Sequence, residues 1–187
     1  MANDDPQEAR AIARVRNGDA DAYDYLVVRH LPRVLAVARG VVRNAHDAED
    51  LAQEAFVRAF ENIGRFRPGE AFGPWVCRIA LNAALDVMKH RTRFRHVEIA
   101  PDDRATRSDD AAVPAMSGEI AARIDAAIGE LPDMQRVVAR LYLVEEVAQE
   151  EIAAITGISE GTVRSHLSLA RKKLREKLAD LYGHDDA

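Results

Sequence analysis

The side chains best able to do chemistry in this 187-residue chain are thinly spread. Its six histidines (His30, His46, His90, His96, His166 and His184) lack metal-ligand spacing, and no phosphate loop or nucleophile elbow occurs. The single cysteine, Cys77, excludes an internal disulfide and any cysteine-based zinc site. It falls on the apolar side of a helical pattern and reads as a packing residue. No catalysis, metal or cofactor is therefore expected. Charge is what the sequence concentrates. The formal net charge of −5 is unfavourable for a polyanionic partner, but the local distribution is not uniform. From 161 to 177 six cations (Arg164, Arg171, Lys172, Lys173, Arg175 and Lys177) stand against Glu176. From 78 to 95 five cations (Arg78, Lys89, Arg91, Arg93 and Arg95) stand against Asp86. From 44 to 61 the sign reverses: Asp47, Glu49, Asp50, Glu54 and Glu61 stand against Arg58. Two basic zones and one acidic helix point to nucleic-acid contact at two places and a separate protein partner.

The C-terminal cations sit in a recognisable frame. Residues 151–177 read as a short helix, a turn at Thr156-Gly157-Ile158, and a second helix. Ile152, Ile155, Ile158, Val163, Leu167 and Leu174 recur where two crossing helices would pack. Gly157 suits the left-handed residue that ends the first helix, and Ser159 can cap the second. This is the layout of a helix-turn-helix, whose second helix enters the DNA major groove. Ala148 stands at the N-cap of the first motif helix, so Glu151 lacks its capping-box partner. Upstream, Arg78, Asn82, Lys89 and Arg93 fall within roughly 60° of one another at 100° per residue, a face suited to DNA strands. The loop from Gly64 to Glu70 carries Phe66, followed by Phe72 and Trp75. Aromatics beside cations can stack on unpaired bases, although Phe72 and Trp75 fit a core better. Asp50, Gln53, Glu54, Val57 and Glu61 form a further stripe apart from the apolar face of their helix.

The elements that must position these groups are helical. With 48% hydrophobic and 30% charged residues, and little Gly or Pro, the chain can bury a core beneath a polar surface. No apolar run approaches the roughly 20 residues that span a bilayer. The acidic Met1-Ala2-Asn3-Asp4-Asp5 lacks the plan of a signal peptide, so a cytoplasmic protein is expected. Asp19 precedes a helix with Tyr23, Leu26, Val27, His30 and Leu31, which Pro32 is expected to kink or restart. A helix opening near Asp47 places Leu51, Ala52, Ala55, Phe56, Ala59, Phe60 and Ile63 on one face, and another runs from about Phe72. Pro101, Asp102, Asp103, Ser108, Asp109, Asp110, Pro114 and Gly118 then break the periodicity. The expected fold class is all-α: two small helical domains, 7–95 and 119–182, joined by a flexible acidic linker, 96–118, with the helix-turn-helix in the second.

The order DAEDLAQEAFVRAF (47–60), FRPGEAFGPWVCRIALNAALD (66–86), LP (131–132) and EEIAAITGISEGTVRSHLSLARKKL (150–174) resembles the extracytoplasmic-function (ECF) group of bacterial sigma factors. The resemblance implies a non-enzymatic, alternative sigma factor of stress-response type. Such a protein binds core RNA polymerase, recognises two promoter elements and opens DNA at the downstream one, under anti-sigma control. By that resemblance Asp47, Asp50, Gln53, Glu54 and Val57 meet the clamp helices of the largest polymerase subunit. Phe66 and Asn82 hold a base flipped out of the downstream (minus-ten) element, with Arg78, Lys89, Arg91 and Arg93 tracking phosphates. Arg164, Ser165, His166 and Ser168 reach bases of the upstream (minus-thirty-five) element, and Arg171, Lys172 and Arg175 grip phosphate. Relatives commonly carry arginine where this chain has His166 and Leu169, so promoter preference does not transfer. A helix-turn-helix repressor or response-regulator output domain would account for 150–177 but not for the acidic helix or the aromatic loop. An anti-sigma decoy would have no use for the cationic helix. A repressor binds duplex DNA alone, whereas a sigma factor needs core polymerase.

Overall fold

The computed structural model describes residues 5–95, apart from positions 43 and 68, and residues 115–179, with backbone alone at 91–95 and 115–119. Among these there are eight α-helices, two 3-10 turns and no strand. The N-terminal half comprises α1 (Pro6–Arg16), α2 (Tyr23–Val41), α3 (Ala45–Glu61) and α4 (Phe72–Arg95). The C-terminal half comprises α5 (Ala115–Gly129), α6 (Asp133–Leu143), α7 (Gln149–Thr156) and α8 (Glu160–Lys177). The expected linker lies outside the described residues as far as 114, and its last four residues open α5.

Local chemistry sets most boundaries. Asp5 accepts from the Gln7 amide at 2.9 Å, with Pro6 at the first helical position of α1. Asn44 accepts from the His46 and Asp47 amides at 2.8 and 3.2 Å, so α3 opens two residues before the expected Asp47. Asp19 caps a 3-10 turn, Ala20–Ala22, that runs directly into α2. Pro32 does not restart the helix: α2 runs unbroken from Tyr23 to Val41. The carbonyl that loses its partner belongs to Val28, 75% exposed, so water can serve it. Leu26, His30, Val34 and Val37 are buried on both sides of Pro32 and hold the axis.

The two halves share one hydrophobic core. α2 packs on α6 and α4 packs on α7. Val34, Val37 and Val41 belong to the same buried cluster as Val137, Val138 and Leu141, and Val76, Cys77 and Ala80 to the same cluster as Ile152 and Ile155. Each fully buried aliphatic side chain is worth about 1.5–3 kcal/mol. At Gly40 the backbones approach so closely that an added Cβ would lie 2.8 Å from the Val137 Cα. Arg136, only 2% exposed, sits at this junction. Its Nε donates to Gly40 O at 2.6 Å and its Nη2 to Val41 O at 3.0 Å, across the halves. Its Nη1 donates to Gly129 O and Leu131 O at 3.1 and 3.0 Å, and Nη2 also meets Asp133 Oδ1 at 2.6 Å. A smaller cluster (Ala127, Ile128, Leu131, Ala139, Ala170, Leu174 and Leu178) ties α5 to α6 and α8.

The α7–α8 pair has the expected turn chemistry. Gly157 adopts φ 74° at the end of α7, and Ser159 Oγ accepts from the Thr162 amide at 3.1 Å. Ala148 is the N-cap of α7 and supplies no side-chain acceptor. Ala148→Ser should therefore stabilise the chain by about 1 kcal/mol. The measurement is the urea midpoint at unchanged m-value; an unmoved midpoint would show that the first-turn amides of α7 already have acceptors.

Candidate functional site

Three exposed helix faces carry the residues singled out by sequence. On α3, Asp50, Gln53, Glu54 and Val57 all point to solvent, while Asp47 is half-buried in the first turn. Glu54 pairs with Arg58 at 2.5 Å, and Asp50 lies 3.8 Å from His46 Nε2. Val57 is 57% exposed and Phe60 40%, so an apolar strip continues beyond the acids. Phe60 was expected on the core face with Phe56; instead it lies at the edge, its ring edge-on to Tyr23 at 5.0 Å. The signal available for it was the three-residue step from Val57. Tyr23 holds this end of α3 in place, its hydroxyl donating to Phe56 O at 2.7 Å, and burial pushes its pKa up.

On α4, Arg78, Asn82 and Lys89 share an exposed face, and Lys89 lies 3.6 Å from Asp86. Arg91 and Arg93 continue the helix, with side chains outside the described residues. Arg78 is not free: its guanidinium donates to Ala154 O in the last turn of α7. Next to it, Cys77 is fully buried and its thiol is pushed up to about 12, mainly by burial. Phe66, expected on an open loop, is 4% exposed. A 3-10 turn at Ile63–Arg65 bends the chain back so that the Phe66 amide donates to Ile63 O. The ring then packs 5.8 Å from Phe72 and 5.2 Å from Trp75. In this conformation it presents no face to a base, whereas Asn82 is exposed.

On α8, Arg164, Ser165, Ser168, Lys172 and Arg175 are exposed, opposite the buried Val163, Leu167, Ala170 and Leu174. At 100° per residue Arg164, Ser168 and Arg175 span about 40°. Ser165 turns its hydroxyl back onto Gly161 O at 3.0 Å. Arg171 lies nearer the core side, its guanidinium carbon 5.2 Å from the Tyr142 ring centre. His166 is half-buried on the other flank, with Nδ1 buried and without a hydrogen-bond partner among the described residues. Arg136, which sequence reading passed over, is the buried cation that joins this half to the other. Among the described residues no cluster of His, Cys, Asp and Glu could hold a metal ion, and no helix is long and apolar enough to cross a membrane.

Comparison with known proteins adds to this geometry. The family model for Sigma-70 region 2 matches residues 26–94, and that for Sigma-70, region 4 matches residues 121–174. The chain is 38% identical over 170 residues to RNA polymerase sigma factor CarQ of Myxococcus xanthus, covering 90% of this chain and 95% of that protein. It is 32% identical over 181 residues to ECF RNA polymerase sigma factor SigW of Bacillus subtilis, covering 92% and 97%. A solved structure of CnrH in complex with the cytosolic domain of CnrY aligns with a TM-score of 0.67 at 26% identity, over 96% of this chain and 99% of that one. The sigma factor RpoE of Bartonella quintana, solved with the anti-sigma factor NepR, shares the fold at a TM-score of 0.66 and 23% identity.

The two residues that the resemblance assigns to a flipped base now separate by burial. Phe66→Ala should destabilise the chain by about 3–5 kcal/mol, whereas Asn82→Ala should stay within about 0.5 kcal/mol of the parent. Urea unfolding of both variants checks this. Equal, small losses would contradict the buried position of Phe66.

Proposed function

Because the chain belongs to the extracytoplasmic-function group of RNA polymerase sigma factors, we propose that it docks on core polymerase through α3 and reads promoter DNA with α4 and α8. It is not an enzyme. It contributes binding energy and DNA deformation, while polymerase makes the phosphodiester bonds. Residues 7–95 serve polymerase docking and the downstream element, 119–182 the upstream element, and 96–118 connect them. The protein works in the bacterial cytoplasm, where polymerase is, under the control of an anti-sigma factor.

The observation that carries this reading is the pairing of two opposite surfaces on one chain. The α3 strip of Asp50, Gln53, Glu54, Val57 and Phe60 is exposed, acidic and apolar together. That mixture suits a basic helical partner, and it fits the clamp helices of the largest subunit. The exposed face of α8 is cationic and offers side chains that can reach base edges. Arg164, near its N-terminus, enters the groove first and reads a base, whereas Lys172, two turns on, meets phosphate. Ser165, His166 and Ser168 share the entering half of the helix, and Arg171 and Arg175 the phosphate-gripping half. Arg78, Asn82, Lys89, Arg91 and Arg93 serve the downstream strands, and Phe66 stands behind them in the aromatic cluster.

Asp50→Arg combined with Glu54→Arg should abolish binding to core polymerase and leave stability within about 0.5 kcal/mol, since both side chains are exposed. Native holoenzyme assembly by that double variant, measured by gel shift or interferometry, would sink the docking assignment. On DNA, Arg164→Ala should cost about 1–3 kcal/mol and relax preference at one upstream position. Lys172→Ala should weaken all promoters alike and lower the salt slope by about one. The two would behave identically across a promoter library only if this helix docks some other way.

A further inference from the structure

Most arginines of the N-terminal half already have an acidic partner. Arg14 pairs with Asp19 at 2.6 Å, Arg29 with Asp5 and Glu8 at 2.9 and 3.0 Å, and Arg58 with Glu54 at 2.5 Å. Arg16, Arg65 and Arg67 differ: all three are exposed, and no carboxylate among the described residues pairs with them. They also gather in one place. Arg16 is the last residue of α1, and its Nη2 donates to Gly64 O at 3.4 Å, which seats the end of α1 on the Ile63–Arg65 turn. That bond uses one of five guanidinium donors and leaves the charge facing water. Arg65 closes the same turn, and Arg67 follows two residues on. The acids nearest in sequence, Glu61 and Glu70, are exposed and form no ion pair with this group. An arginine with an internal partner exchanges one ion pair for another when it meets phosphate, whereas an unpaired one gives up only water.

The group borders the face of α4 already described. Between Arg65 and Arg67, Phe66 turns inward and packs 5.2 Å from Trp75. Trp75 is half-buried, and at 100° per residue it falls about 20° from Asn82 around the helix. From Phe72 to Asn82 the helix rises about 15 Å, a span of about four nucleotides at ~3.4 Å apiece. We infer that Arg16, Arg65 and Arg67 form a phosphate-gripping shelf for the single strand beside the opened downstream element, extending the DNA surface from α4 to the end of α1. The inference rests on the DNA-reading role given above to α4. α1 itself precedes residues 26–94, the segment matched to Sigma-70 region 2, and none of its residues has a role in that reading. A single strand suits the shelf better than a duplex does. Its phosphates follow the contour of the protein, and cations around a half-buried aromatic are the usual groove for it.

The test uses the full chain assembled with purified core polymerase, and two probes cut from a promoter that the parent transcribes. One is a duplex ending before the downstream element; the other is forked, with its non-template strand single from that element onward. Arg16→Ala, Arg65→Ala and Arg67→Ala together should weaken the forked probe at least tenfold. They should also flatten its plot of log affinity against log salt by about two, at roughly 0.7 per single-strand phosphate. Affinity for core and for the duplex probe should stay parental. Arg65→Ala with Arg67→Ala breaks no contact of the fold and should flatten the slope by about 1.4. Arg16→Lys gives up the fork on Gly64 but keeps the charge, so its slope should match the parent. Arg39→Ala is the control: it removes another exposed, unpaired arginine, about 24 Å along α2 from Tyr23, and should move neither probe. A parental slope on the forked probe in the double and triple variants would overturn the shelf. Lost core affinity would overturn it too, by placing these arginines against polymerase, and so would an equal loss from Arg39→Ala, which would reduce the effect to net charge. The underlying sigma-factor reading fails by a different result, a parent holoenzyme that binds neither probe.

Discussion

A buried cation holds this molecule together, and its counter-charge comes mainly from the backbone. Arg136 is almost fully enclosed, yet its acidic neighbour, Asp133, is half exposed and sits at one edge. Four further acceptors are carbonyls: Gly40 and Val41 at the end of α2, Gly129 at the end of α5 and Leu131 two residues past it. Each helix C-terminus carries roughly half a negative charge. Two of them converging on one guanidinium supply about one unit, the balance that makes burial tolerable. The planar fork matters as much as the charge. Five donors spread over three nitrogens reach five acceptors in different directions, which an ammonium on a flexible stem cannot do. One side chain thereby fixes where α2 ends, where α5 ends and how α6 lies against both.

A second set of constraints is aromatic. Tyr23 lies edge-on to Phe56, Phe60 and Phe72, and Phe72 in turn meets His30, Phe66 and Trp75. Rings in edge-to-face order resist sliding, because each prefers a particular angle to the next. The cluster runs from beneath the exposed strip of α3 to the start of α4. The surface proposed for polymerase and the helix proposed for the downstream element are therefore registered through the same rings.

What could be read from sequence was whatever depends on near neighbours in the chain. Gly157, Ser159 and the absent cap at Ala148 act over three or four residues, and each stands where its chemistry placed it. The exposed stripe on α3 and the cationic face of α8 follow from helical period alone. Contacts between remote segments were not legible. Arg136 looks like one more cation in an amphipathic helix until Gly40, 96 residues away, arrives beside it. Phe66 belongs to a loop by its glycines and proline, but a 3-10 turn returns it to the core. Arg78 shares a face with Asn82 and Lys89, and nothing local discloses that α7 ends against it. Pro32 errs in the opposite sense: a local rule for breaking helices yields to burial on both sides.

The shared core also bears on how long such a protein lasts. Val37, Val41, Val137, Val138 and Leu141 are all but sealed when the halves meet. Parted and not yet covered by polymerase, they would form an apolar surface of the kind that chaperones and proteases recognise. The opened but idle molecule is then the vulnerable one, and degradation draws on that population. Closure of the two halves on each other keeps this surface out of reach.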